Sequence, residues 1–223
     1  MEFIEYPDRE MMMIDLGNKL AGEIKNCLLN HEWSSFAVPG GTTPGPVFDV
    51  LCAADLDWSR VHIMLTDERW VPEDHERSNT RLLRERLLVD RAADAKYIPL
   101  YAKADTPEDV LPELEAVIAP ELPLSVVLLG MGADMHTASL FPGADRLQDA
   151  MADNAPILMP MRAPGAPEPR VTLTARVLKD AMSKHILITG TEKRAALERA
   201  RHMSLSDAPV AAILSGAQVH WAE

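Results

Sequence analysis

The residues with the clearest chemical capacity lie in Gly130-Met131-Gly132-Ala133-Asp134-Met135-His136-Thr137-Ala138-Ser139-Leu140-Phe141-Pro142-Gly143. Histidine changes charge near neutral pH and can act as a general base, and Asp134 is placed to orient or polarise the His136 ring. Three further segments combine glycine, hydroxyl and charge. Gly40-Gly41-Thr42-Thr43-Pro44 has the makings of an anion-binding turn: glycines allow close backbone approach, hydroxyls donate, and a following helix start adds positive potential. Asp67-Glu68-Arg69 offers a carboxylate for proton chemistry and a guanidinium for a phosphate or a developing oxyanion. Gly190-Thr191-Glu192-Lys193 sets a lysine one turn into a helix, where Lys193 can reach phosphate as a point charge, and Arg170 adds a second guanidinium. Taken singly, the glycine segment reads equally well as a tight strand-to-helix turn, while an ion-paired loop and an exposed lysine are the commoner readings of the other two.

The elements that must position these residues follow from periodicity. Residues 8–30 place Met13, Leu16, Leu20, Ile24, Cys27 and Leu28 on one helical face. Apolar runs at 35–38, 61–65, 97–101, 125–129 and 185–189 predict strands, with 217–221 as an edge strand. Helices are expected over 47–53, 79–88 (with Ser78 as cap), 107–119, 192–201 and 208–214, and over most of 171–182 after a strand-like start at Val171. Strands apolar at consecutive positions are buried on both faces, so the pattern predicts a doubly wound, mostly parallel α/β sheet with helices on both faces, in one domain over 1–223. Ligands of such sheets bind beyond the carboxyl ends of the strands. All four polar segments follow predicted strands, and a small-residue helix start is expected at Thr137. The Pro-rich stretch Pro160-Met161-Arg162-Ala163-Pro164-Gly165-Ala166-Pro167-Glu168-Pro169 reads as a mobile surface loop suited to closing over a ligand.

Composition narrows the classes of function. Lys and Arg total 22 against 34 Asp and Glu, a net charge of −12 that disfavours nucleic acid or an anionic membrane as partner. An anionic ligand then needs a local basic cluster. Cys27 and Cys52 are too few for a disulfide framework and read as reduced thiols. No histidine pairing of the His-Glu-x-x-His kind occurs, so no metal is expected, and neither a Walker loop nor a dinucleotide fingerprint calls for a nucleotide cofactor. Without a membrane-length apolar run or a basic, apolar leader at Met1-Glu2-Phe3-Ile4-Glu5-Tyr6, the expected location is the cytoplasm.

Four segments together resemble the 6-phosphogluconolactonase family: Pro39 to Pro44; Asp67-Glu68-Arg69-Trp70-Val71-Pro72 with Ser78-Asn79; Leu129 through Gly143; and Arg170-Val171-Thr172-Leu173-Thr174 with Gly190 and Lys193. They run in the family's order along nearly the whole chain, and 129–143 is the most specific. The resemblance implies the glucosamine-6-phosphate isomerase type of α/β fold and hydrolysis of 6-phospho-D-glucono-1,5-lactone in the pentose phosphate pathway. It implies no metal or organic cofactor, a small sugar-phosphate lactone as the partner, and a monomer or homodimer.

On that resemblance His136 is the base and later proton donor, and Asp134 orients it. Backbone N–H groups near a helix start at Thr137, with Arg69, would hold the oxyanion. Gly40, Gly41, Thr42, Thr43, Asp67, Arg69, Arg170 and Lys193 would hold substrate and its phosphate. Two rivals are a glucosamine-6-phosphate deaminase, whose counterpart tripeptide typically ends in Tyr rather than Arg69, and a non-catalytic sugar-phosphate sensor. Many relatives read Asp-Gly-His where this chain has Asp134-Met135-His136. A positive φ there would cost Met about 1–2 kcal/mol; a negative φ would set its side chain beside the pocket.

Overall fold

The computed structural model describes every residue from Met1 to Glu223. Its strands are β1 (Glu2–Glu5), β2 (Ser34–Val38), β3 (Val61–Leu65), β4 (Asp67–Arg69), β5 (Lys96–Ile98), β6 (Val126–Gly130), β7 (Leu158–Met161), β8 (Arg170–Leu173), β9 (Ser183–Thr189) and β10 (Gln218–Ala222). Its helices are α1 (Arg9–Asn30), α2 (Gly45–Leu51), α3 (Asn79–Arg86), α4 (Leu111–Ile118), α5 (Leu147–Met151), α6 (Ala175–Lys179) and α7 (Thr191–Ala200).

The apolar runs become a seven-stranded sheet in the order β1-β10-β9-β6-β2-β3-β5. Every pairing in it is parallel. From β2 the chain winds outward through β3 to β5, then returns to β6 on the other side of β2 and winds the opposite way. The reversal leaves a crevice between the carboxyl ends of β2 and β6, where an open α/β sheet binds ligands. Helix α1 starts on Asp8, whose side chain accepts from Met11 N at 2.8 Å. It buries Met12, Leu16, Leu20 and Ile24, spaced four apart, against the sheet.

Several expectations need correction. The last strand is not an edge: β10 lies between β9 and β1, and β1 takes the edge. Charged Glu2 and Glu5, both exposed, suit that position. Asp67–Arg69 is a strand rather than a loop, and it pairs antiparallel with β8, which pairs with β7 in a second, three-stranded sheet. Pro160 and Met161, expected in a surface loop, are buried in β7. The strand-like start at Val171 is β8, and the helix expected over most of 171–182 shrinks to the five residues of α6. Residues 208–214 hold only a 3₁₀ turn at Pro209–Ala212. Val171 and Leu173 of β8 and Met159 and Met161 of β7 belong to the same continuous core as the large sheet, so the small sheet is fixed against the crevice.

A polar chain crosses this core between α1 and the β9/β10 pair. Glu23 Oε2 lies 2.8 Å from His185 Nε2, His185 Nδ1 lies 3.0 Å from His220 Nε2, and His220 Nδ1 lies 2.9 Å from Tyr6 Oη. Tyr6 in turn donates to Asp15 at 2.9 Å. Both imidazoles are fully buried. No helix is long and apolar enough to cross a membrane.

Candidate active site

One wall of the crevice is built where β4 meets α3. In a strand, alternate side chains face the same way. Asp67 and Arg69 face the crevice, while Glu68 is turned inward and fully buried. Its carboxylate accepts from Asn79 N and Thr80 N, both at 2.8 Å, from Thr80 Oγ1 at 2.7 Å and Ser78 Oγ at 3.1 Å. Arg69 N donates to it at 2.7 Å. Asn79 N and Thr80 N are free N–H groups at the start of α3, so Glu68 caps that helix and ties it to the strand carrying Arg69. Burial pushes the Glu68 carboxyl above its usual range against the pull of these donors. Asn79 Nδ2 donates to Asp67 O at 3.0 Å. A Cβ on Gly40 would sit 2.0 Å from Asn79 Oδ1, so only glycine lets the turn after β2 lie on α3.

The second wall is the segment after β6. Met135 N donates to Gly132 O at 2.9 Å and Gly132 N to His136 O at 3.0 Å, closing a tight loop. Met135 has φ 66°, the positive value at which glycine is cheaper. Its side chain is buried in the core and does not line the crevice, so it neither narrows nor closes the site. A Cβ on Gly132 would come within 2.2 Å of His136 Nδ1, which makes glycine a requirement for the imidazole's position. His136 Nδ1 lies 2.5 Å from Asp134 Oδ1. Nε2 has no protein partner, which leaves it available for proton transfer.

No helix starts at Thr137. Leu140 N donates to Thr137 O at 3.0 Å across a turn in which Ala138 has φ 49°. The reason lies in distant partners: Ser139 Oγ donates to Asp67 Oδ2 at 2.5 Å and Ser139 N to Thr172 Oγ1 at 3.2 Å. Those bonds hold the chain away from helical geometry. The helix-start donors expected at Thr137 are therefore absent.

Arg69 and Arg170 are cross-strand partners in the small sheet. Arg170 is mostly buried, with Nη1 4.0 Å from Asp67 Oδ2. Burial lowers its pKa, with Asp67 pulling the other way. Arg69 Nη1 donates to Arg77 O at 2.7 Å. The Nε groups of both arginines are buried with no hydrogen-bond acceptor in the protein, spare donor capacity beside a cleft. Lys193, from the first turn of α7, joins them. The cleft is open to solvent; Gly40, Gly41, Thr43, Asp67, Arg69, His136, Arg170 and Lys193 all line it. Three cations, Arg69, Arg170 and Lys193, thus converge on one cleft of a chain whose net charge is −12.

Two expected site residues stand apart. Thr42 is exposed and does not line the cleft, its carbonyl being used by Gly45 N at 3.2 Å. Asp134 lies behind His136, its side chain half exposed. Asn79, Met131, Ala138 and Leu187 line the cleft without having been singled out as site residues. For Asn79 the available signals were its place directly after the Ser78 cap and its presence in the segment that resembles the family.

This strand order defines an α/β fold class shared by lactonases and a deaminase. A monomeric glucosamine-6-phosphate deaminase of 16% identity superposes with a TM-score of 0.81 over 99% of this chain and 97% of that one, a likeness of fold alone. Within the class, the chain belongs to the glucosamine-6-phosphate isomerases/6-phosphogluconolactonase family, whose model matches residues 7–221. A 6-phosphogluconolactonase of Rhizobium meliloti (strain 1021) is 40% identical over 220 residues, 96% of this chain and 93% of that protein. One from Pseudomonas aeruginosa is 39% identical over 92% of this chain and 88% of that protein. The crystal structure of a 6-phosphogluconolactonase from Shewanella baltica OS155, 30% identical, superposes with a TM-score of 0.96 over 100% of this chain and 97% of that one.

Proposed function

We propose that the chain hydrolyses 6-phospho-D-glucono-1,5-lactone to 6-phospho-D-gluconate, the ring-opening step of the oxidative pentose phosphate pathway. The observation that carries the reading is one cleft that brings a His136–Asp134 pair together with Arg69 and Arg170, whose buried Nε groups have no acceptor in the protein. Its relatives named 6-phosphogluconolactonase, alike over nearly their whole length, support it.

In this reading Arg170, Lys193 and the Gly40–Thr43 turn hold the phosphate and so hold the lactone in register. Water attacks the lactone carbonyl carbon while His136 Nε2 takes its proton. Asp134, bound at Nδ1, fixes the tautomer and stabilises the imidazolium. Arg69 offers charge to the oxyanion. Collapse expels the ring oxygen, which takes the proton back from His136 and opens the ring. The base is regenerated, and every atom of water ends in the product acid and hydroxyl. Asp67, held by Ser139 and facing Arg170, keeps the guanidinium in place.

No cluster of three or more His, Cys, Asp or Glu side chains has metal-binding geometry, and the proposed reaction assigns each proton to a side chain. We place the enzyme in the cytoplasm as a monomer or homodimer, with residues 1–223 acting as one domain. The test is an assay on freshly prepared lactone against its spontaneous opening. The expected result is acceleration far above background, inhibited competitively by product. A rate equal to background from folded protein contradicts the proposal.

A further inference from the structure

We infer that Phe141 is a positioning residue for His136, fixing the plane of the imidazole and stabilising the positive charge it gains during turnover. This rests on the base role proposed for His136. The two ring centroids lie 4.2 Å apart with planes inclined by 26°, a stacked pair. Asp134 holds the imidazole only at Nδ1, by one edge. The χ2 torsion of histidine is broad, so an edge contact alone leaves the ring free to rock about that bond. A ring face at stacking distance removes this freedom and keeps Nε2 aimed in one direction.

Phe141 is itself held. The turn closed by Leu140 N and Thr137 O precedes it, its carbonyl accepts from Ala144 N at 3.1 Å, and Pro142 with Gly143 at φ 76° follows. The Arg170 guanidinium carbon sits 5.1 Å from the centroid of the same ring. One phenyl group thus packs against both the base and a buried cation of the clamp.

The chemistry gives the contact a direction. A neutral imidazole gains only dispersion from the stack, whereas an imidazolium is also attracted by the negative face of the ring. The contact is strongest once His136 has taken the proton of water, so it acts on kcat more than on substrate binding. Phe141 touches no reacting atom; it works through His136.

The test combines kinetics with proton NMR of the imidazole, whose ring protons are shifted upfield by a stacked phenyl group. Phe141→Leu keeps apolar bulk and removes the π face. It is expected to lower kcat about tenfold while KM stays within about threefold. The His136 ring protons, assigned by their loss in His136→Ala, should move downfield. Phe141→Tyr keeps the ring and should hold kcat within about twofold of wild type. Wild-type kcat in a folded Phe141→Leu protein, unmoved His136 ring protons, or equal damage from Leu and Tyr would each overturn the inference. Turnover retained by His136→Ala overturns the base assignment instead, and the ring-proton shift still tests the stack.

Discussion

Two histidine sites in this protein use the same side chain in opposite surroundings. At His136 one ring nitrogen is bound to Asp134, the other is without a protein partner, and the side chain is 30% exposed at the edge of a cleft. At His185 and His220 both rings are fully buried and all four nitrogens are engaged, by Glu23, Ser183, Tyr6 and each other. Burial, together with the neighbouring His185 and Lys19, pulls His220 down to about 3. Burial pushes the Glu23 carboxyl up, but bonds from His185 and Ser183 overcome it and hold it below its ordinary value. A histidine with every nitrogen satisfied ties α1 to the sheet. One with a spare nitrogen beside cations can do chemistry. Function follows from what is left unpaired.

The largest effect that sharpens this contrast is on stability against pH. Unfolded His220 binds a proton below its ordinary value of 6.5, whereas the folded protein admits one only near 3. In that window the unfolded state holds more protons, so stability falls as pH drops through it. The loss at the acid end is on the order of 5 kcal/mol. Urea unfolding of wild type from pH 7 to 4 should show this slope, and His220→Gln should flatten it while keeping kcat at pH 7. A variant that keeps the slope would break the distinction between the sites.

Next comes Glu68, buried like His220 but adjoining the cleft. Glu68→Ala strands the N–H groups of Asn79, Thr80 and Arg69, and should cost about 3 kcal/mol in chemical denaturation. Because Asp67 and Arg69 flank it, kcat/KM should fall in parallel, unlike the His220 variant. Arg170→Met, of similar bulk, removes a clamp cation: KM should rise about thirtyfold, about 2 kcal/mol, with a smaller change in kcat. The smallest effect is at Met135. Met135→Gly relieves a positive φ worth about 1–2 kcal/mol but gives up a buried side chain worth about 1.5–3 kcal/mol. The net change should be a loss of about 1 kcal/mol by chemical denaturation, with kcat unchanged within about threefold.

What could be read from the chain before its fold was known divides along the same line. Continuous apolar runs such as Val126-Val127-Leu128-Leu129 announce buried parallel strands, and the glycine-rich neighbourhood marked His136 among seven histidines. Asp67-Glu68-Arg69 looked like a loop because its burial is made tolerable by partners far along the chain, at Ser78 to Thr80 and Ser139. The small residues after His136 suggested a helix. Ser139 is instead held by Asp67 and Thr172, and no local propensity records those bonds. Pro160 read as loop because proline cannot complete a ladder, yet it is accepted in short β7, at the margin of the small sheet. The partners of His185 and His220 span 162 and 214 positions and left no local trace.

The most direct test of the central claim is the kcat of His136→Ala on fresh 6-phosphogluconolactone at pH 7, beside wild type and the spontaneous rate. A loss of about 10²–10⁴-fold is expected, in a protein whose thermal midpoint is unchanged. Wild-type turnover in His136→Ala would contradict it.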